Sequence, residues 1–160
     1  MKFDRYDVIK LIISIVICEA AGIIGSLFTV SSIPTWYASL NRPDFAPPNW
    51  IFGPVWTTLY LLMGISLYLI WKHGWENKNV KIAVYVFGIQ LILNVIWSVL
   101  FFGLQSPLLG MIGIVLLWIA IAVNIYFFYK VDRNSAYLLV PYIVWVSIAS
   151  YLNYSILIMN

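Results

Sequence analysis

The sequence predicts an all-α integral membrane protein, a bundle of five transmembrane helices, and three observations carry that prediction. Of its 160 residues 63% are hydrophobic and 9% charged, with a mean hydropathy of +0.94. Soluble domains carry roughly 25% charged residues, so too few polar groups are present to cover a water-facing surface. Five apolar runs reach the ~20 residues that a helix needs to cross a bilayer. No run shows the ten-residue alternation of barrel strands, which leaves helices, whose backbone groups are satisfied within each segment. With no internal repeat, soluble domain or low-complexity tail, one membrane domain over 1–160 is expected.

The first span is expected at 8–30, after Lys2, Arg5 and Lys10. That sign pattern resembles a secretory leader. The run exceeds the ~7–15 residues of a leader core and no small-x-small cleavage site follows, so a retained first helix is expected. Glu19 lies near its middle, where an acid costs ~2.5–3.5 kcal/mol on insertion scales and marks a functional candidate. Gly22 and Ser26 share its face, a small-x-x-x-small surface for close helix contact. The expected role is therefore structural: a protonated Glu19 bonded to a neighbouring backbone or Ser/Asn group. The single cysteine, Cys18, offers neither a disulfide nor a thiolate metal site within one chain.

The connection 31–48 contains Pro43, Pro47 and Pro48, which disfavour helix before each of them. Arg42 and Asp44 flank Pro43 and are expected to pair. The segment reads as a structured lid leading into a second span at 49–71, whose start suits Pro47 and Pro48. On that span Trp56, Tyr60, Met63 and Leu67 share a face. After a charged turn holding the lone His73, a third span at 80–103 places Gln90, Asn94, Trp97 and Phe101 in one stripe. The fourth, 107–129, carries Gly110, Gly113 and Ala120, which with Gly103 suit close approach of a second copy in a homodimer. The fifth, 136–158, aligns Tyr142, Trp145, Ala149 and Asn153.

Three helices thus each present aromatic rings, two with an embedded amide. Facing inward, they would wall a pocket with flat apolar sides and a few hydrogen-bonding groups. The competing reading makes the amides interhelical glue, worth roughly 0.6 kcal/mol each, and the tryptophans an interfacial belt. Trp36, Trp50, Trp71 and Trp75 fit the belt; Trp97 and Trp145 lie deeper in their spans. Periodicity alone leaves both readings open.

Eight of the nine cations fall on one side of the membrane: Lys2, Arg5, Lys10, Lys72, Lys78, Lys81, Lys130 and Arg133, against Arg42 alone. The positive-inside tendency places the N-terminus in the cytoplasm and the C-terminus outside, as expected for a multi-pass cell-membrane protein. One histidine and one cysteine leave zinc and covalent haem without ligands, so no metal site is expected. No phosphate-binding glycine loop, metalloprotease pair or serine elbow occurs. No nucleic-acid partner and no acid–base catalysis are expected.

The stretch WYASLNRPDFAPPNWIFGPVWTTLYLLMG, from Trp36, resembles the defining segment of the TspO/MBR family of translocator proteins, tryptophan-rich sensory proteins and peripheral-type benzodiazepine receptors. LNVIWSVLFFG at 93–103 and PYIVWVSIASYLNY at 141–154 agree in order over nearly the whole chain; the fourth span carries no usable motif. The resemblance implies a five-helix, commonly dimeric bundle that binds porphyrins and other flat hydrophobic ligands, in tetrapyrrole sensing, scavenging or transport. It requires no cofactor beyond that ligand. Some members bind cholesterol, and some bacterial ones degrade protoporphyrin in light, a chemistry that would fall to Trp56 and Trp145. The family's pocket residues correspond to Tyr37, Trp56, Asn94, Trp97, Trp145 and Ala149, to which the spacing adds Tyr60. The animal members' sterol motif needs a cation shortly after a tyrosine; here SILIMN follows Tyr154, so a microbial porphyrin ligand is expected before a sterol. A weaker match at Leu62, Tyr68 and Lys72 is hypothesis-grade. A lid over 37–48 is expected to close the pocket and set ligand release.

Overall fold

The computed structural model describes residues 4–160; Lys2 lies outside them. Among these residues the chain forms α1 (Arg5–Thr29), α2 (Phe52–Trp71), α3 (Lys78–Ser98), α4 (Pro107–Val131), α5 (Arg133–Leu138) and α6 (Val140–Met159), with no strand. Five stretches are long and apolar enough to cross a bilayer: Arg5–Thr29, Asn49–Trp71, Lys78–Gly103, Pro107–Val131 and Arg133–Met159. Their outward side chains, among them Ile12, Leu27, Ile92, Ile119 and Val144, are exposed and apolar, as lipid contact requires. The protein is an all-α integral membrane protein.

Helix starts follow local chemistry. Asp4 and Asp7 form a reciprocal capping box on α1. The Asn77 and Ser106 side chains cap α3 and α4, and Pro107 sits in the first turn of α4, where its missing N–H is harmless. The last span is two helices. The Asp132 side chain accepts from the Ser135 N–H and starts α5; the chain then restarts α6 at Val140, with Pro141 in its first turn. The sequence reading of one run at 136–158 missed this start and this break, because both depend on caps inside an apolar stretch.

Packing arranges the helices in a ring: α1 lies against α2 and α3, α3 against α4, α4 against α6, and α2 returns to the last span through α5. The Ser66 hydroxyl fastens that return by donating to the Ser135 carbonyl at 2.7 Å. Close approaches use glycine. A Cβ on Gly64 would lie 2.6 Å from the Ile15 Cα. One on Gly110 would lie 2.5 Å from the Phe101 ring, and one on Gly113 would lie 2.9 Å from Leu100. Gly110 and Gly113 therefore serve packing of α4 inside the chain rather than the dimer contact expected of them.

Beyond α3 the chain widens into a π-helical turn, Val99–Gly103. The extra residue per turn brings both Phe101 and Phe102 inward, their rings 4.8 Å apart. The Ser32 hydroxyl donates to the Phe102 carbonyl at 2.9 Å.

A second π-turn, Ile33–Tyr37, opens the first connection. The connection is tied to the chain's end: the Asn41 N–H donates to the Asn160 side-chain oxygen and the Asn160 amide returns a bond to the Asn41 carbonyl, each 2.9 Å. The expected Arg42–Asp44 pair does not form. Arg42 instead donates to Asn49 at 3.1 Å and lies 4.9 Å over the Tyr37 ring, contacts that direct its guanidinium elsewhere.

Candidate ligand-binding site

The three aromatic stripes face the centre of the ring. Gln90, Asn94, Trp97 and Phe101 of the third span are all buried, as are Tyr60 and Met63 of α2 and Tyr142 and Asn153 of α6. Their polar atoms form one directed chain. The Tyr60 hydroxyl donates to the Asn94 side-chain oxygen at 2.5 Å, and the Asn94 amide to the Tyr142 hydroxyl at 2.7 Å. That hydroxyl donates to Gln90 at 2.9 Å, and the Gln90 amide meets the Met63 sulfur at 3.8 Å. In a low-dielectric interior such a chain is strong where satisfied and costly where broken. The amides are thus interhelical ties, as the competing reading held.

The rings close the same centre. Trp56 lies 5.7 Å from Tyr60, 6.1 Å from Trp97 and 6.3 Å from Tyr142. Trp97 stacks on Phe101 at 5.8 Å, and Tyr37 packs its edge on Phe52 at 6.0 Å. Burial pushes the Tyr37 phenol up from its ordinary value, and the neighbouring Arg42 guanidinium offsets part of that rise. Trp36 packs edge-on against Phe101 at 5.3 Å, which removes it from the belt. Trp50 and Trp75 stay exposed at span ends and keep that role.

The open space lies to one side of this packed centre. A cavity of about 230 Å³ sits between α1, α2 and the end of the third span. Trp56 and Tyr60 of α2 and Trp97 of α3 form one wall, with Phe52 and Phe102 at the end nearer the loop. The other wall is the α1 face Glu19, Gly22, Ser26 and Thr29, one residue per turn. Gly22 is required there: a Cβ would lie 2.5 Å from the Tyr60 ring. The cavity opens sideways past Ile23, which is 64% exposed, and past Gly53, whose absent Cβ would meet nothing within 4 Å. In a bilayer this mouth faces lipid.

Of the residues expected from the sequence, Trp56, Tyr60 and Trp97 line the cavity. Asn94 and Tyr37 stand behind it, buried in the packed centre. Trp145 packs edge-on to Phe52 at 6.2 Å, and neither it nor Ala149 lines the space. From the loop only Val30 and Ile33 reach it, so residues 38–48 cover the aromatic centre rather than the cavity. The α1 wall was missed. Its signal was the shared face of Glu19, Gly22 and Ser26, read as a helix-contact surface. The bond expected for Glu19 does not form either: no hydrogen bond joins its carboxyl to a described backbone, Ser or Asn group, and the nearby Ser26 hydroxyl turns back to the Ile23 carbonyl.

A sequence model of the TspO/MBR family matches residues 14–159. The chain belongs to the TspO/MBR family. Among curated relatives, the tryptophan-rich protein TspO of Archaeoglobus fulgidus is 46% identical over 155 residues, 96% of this chain and 99% of the relative. Protein CrtK of Rhodobacter capsulatus is 37% identical, over 91% of this chain and 89% of the relative. The translocator protein of Homo sapiens is 36% identical, over 83% and 79%. The TspO/MBR fold thus accounts for nearly the whole chain, including the α1 wall from Ser14 onward.

Proposed function

We propose that this TspO/MBR protein binds flat apolar ligands of the tetrapyrrole class at the Trp56–Tyr60–Trp97 wall, acting in their sensing, scavenging or transport with no cofactor of its own. One observation supports this above the others. The cavity wall is built of three large rings, Trp56, Tyr60 and Trp97, beside a mostly apolar lining. A flat ligand would stack on these rings and bury its apolar faces against them. Typical small-molecule pockets enclose ~300–1,000 Å³, so at about 230 Å³ the cavity would take a macrocycle with part of its rim in the lipid mouth. Titrating protoporphyrin into folded, detergent-solubilised protein should quench tryptophan emission at micromolar ligand. An unchanged spectrum overturns the reading.

Light-driven breakdown of the bound porphyrin is the second reading, favoured by the crowding of Tyr60 and Trp97 within about 6 Å of the cavity residue Trp56. Under illumination the porphyrin band should then fade, and Trp56→Phe should slow the fading more than Trp145→Phe, which alters a ring outside the cavity. Sterol or lipid transport fits less well, since Tyr154 has no following cation. The described cations support a cytoplasmic N-terminus: Arg5, Lys10, Lys72, Lys78, Lys81, Lys130 and Arg133 lie at one set of helix ends, Arg42 at the other. Association as a homodimer remains part of the proposal, through outer faces free of Gly110 and Gly113.

A further inference from the structure

We infer that Glu19 is a ligand-binding group, and that it makes the cavity selective for flat, membrane-soluble molecules carrying a cationic or N–H-bearing nitrogen. This rests on the cavity being the ligand site and is independent of the tetrapyrrole. Glu19 lies near the midpoint of α1 and lines the cavity. Among the described residues, none donates a hydrogen bond to its carboxyl or forms an ion pair with it. The donors that could do so are committed. Ser26, Thr29 and Thr57 return their hydroxyl hydrogens to carbonyls of their own helices, and Tyr60 gives its own to Asn94. Among the described residues, Arg5 and Lys10 lie in the first two turns of α1 and the other Lys and Arg near helix ends or in connections, and none pairs with Glu19.

An acid at the centre of a span is disfavoured by ~2.5–3.5 kcal/mol and persists where it pairs or functions. A donor on a molecule in the cavity would supply the partner that the described residues do not. A ligand amine would meet the carboxyl on one side and the faces of Trp56 and Tyr60 on the other, which attract cations. The same carboxyl would repel an acidic ligand group and turn it toward the Thr29–Val30 end. The volume of about 230 Å³ suits a body of three or four fused rings, and the lipid-facing mouth suits a molecule that reaches the site from the bilayer.

The test uses three matched probes with the protein in nanodiscs of zwitterionic lipid: 1-pyrenemethylamine, 1-methylpyrene and 1-pyrenecarboxylic acid. Energy transfer from tryptophan to pyrene reports binding, and empty nanodiscs correct for partition. The amine should bind about tenfold more tightly than methylpyrene and the acid most weakly, as charge-assisted pairing predicts. Glu19→Gln should reduce the amine's advantage to about twofold or less and relieve the penalty on the acid. An amine no tighter than methylpyrene on the natural protein overturns the inference, as does an unchanged advantage in a stable Glu19→Gln variant. If that variant fails to fold, Glu19→Asp, which draws the carboxyl back, should lower the advantage; an equal advantage again overturns it. Protoporphyrin titrated into the same samples separates the two readings. Amine preference without porphyrin quenching removes the tetrapyrrole and keeps this site; quenching without amine preference does the reverse.

Discussion

Asn94 shows how much one side chain holds in this centre. It accepts from Tyr60 and donates to Tyr142, so it joins α2, α3 and α6 through two bonds. Asn94→Leu would keep the volume and leave the buried Tyr60 hydroxyl with no acceptor. The expected loss is about 1–3 kcal/mol, read as a lower midpoint of unfolding in detergent; an unchanged midpoint would show that Tyr60 finds another acceptor. Gly22 acts through space. A methyl there would press on the Tyr60 ring, which its bond to Asn94 holds in place, so Gly22→Ala should destabilise by about 1–3 kcal/mol and weaken binding at the wall. Gly53→Ala, whose methyl meets nothing, should leave stability within about 0.5 kcal/mol. The sequence showed Asn94 as an amide embedded in an aromatic stripe. It could not show the partners, because they come from spans 34 and 48 residues away in the chain.

Among elements, the pairing of α1 with α2 and the clamp between the charged turns set the frame. The α1–α2 contact rests on Gly64, where an added methyl would meet backbone that cannot rotate away. At the other end of α2, the His73 ring nitrogen donates to Asp132 at 3.0 Å and ties the turn after α2 to the start of α5. Burial pushes the Asp132 carboxyl up, but the bonds from His73 and from the Ser135 and Asn134 amides outweigh it, and the net pKa lies below the ordinary aspartate value. A depressed carboxyl contributes stability that is complete above its unfolded pKa of ~3.9 and is lost as pH falls through the lower folded value. The unfolding midpoint should therefore drop on acidification through that range, and Asp132→Asn should flatten the drop while lowering the midpoint at neutral pH. A natural protein as insensitive to acid as Asp132→Asn would remove the clamp. The number of spans and their inward faces were legible in the sequence, since Tyr60, Asn94 and Tyr142 are buried and Trp56 packs against the core where a period of 3.6 put them. The clamp was not: His73 stood as a lone histidine in its charged turn, because Asp132 is 59 residues away in the chain.

At the scale of the whole molecule, what the sequence obscured was where the bundle is full and where it is empty. Rings at helical spacing point inward whether they line a space or fill one, and here Trp56, Tyr60, Trp97 and Tyr142 meet closely enough to fill the axis. A void is the remainder after all five spans have packed, and this one lies beside the close contacts that Gly22 makes with Tyr60 and Gly25 with Ser98. The consequence reaches ligand exchange. The loop at 38–48 is fastened to Asn160 and covers the packed centre, while the cavity opens past Ile23 and Gly53 toward lipid. Replacing Pro47 and Pro48 with glycine should then loosen the loop and lower stability by roughly 0.4–1 kcal/mol per site, yet leave ligand release within about twofold. Gly53→Leu places bulk in the mouth without touching backbone, so both association and release should slow together, several-fold, with affinity little changed. Most affinity changes among related complexes appear in dissociation alone, so slowing on both limbs is the signature of a narrowed passage. Stopped-flow mixing of 1-methylpyrene with the natural protein and the two variants gives both rates. Faster release from the double-glycine variant, with Gly53→Leu unchanged, would restore the loop as the gate.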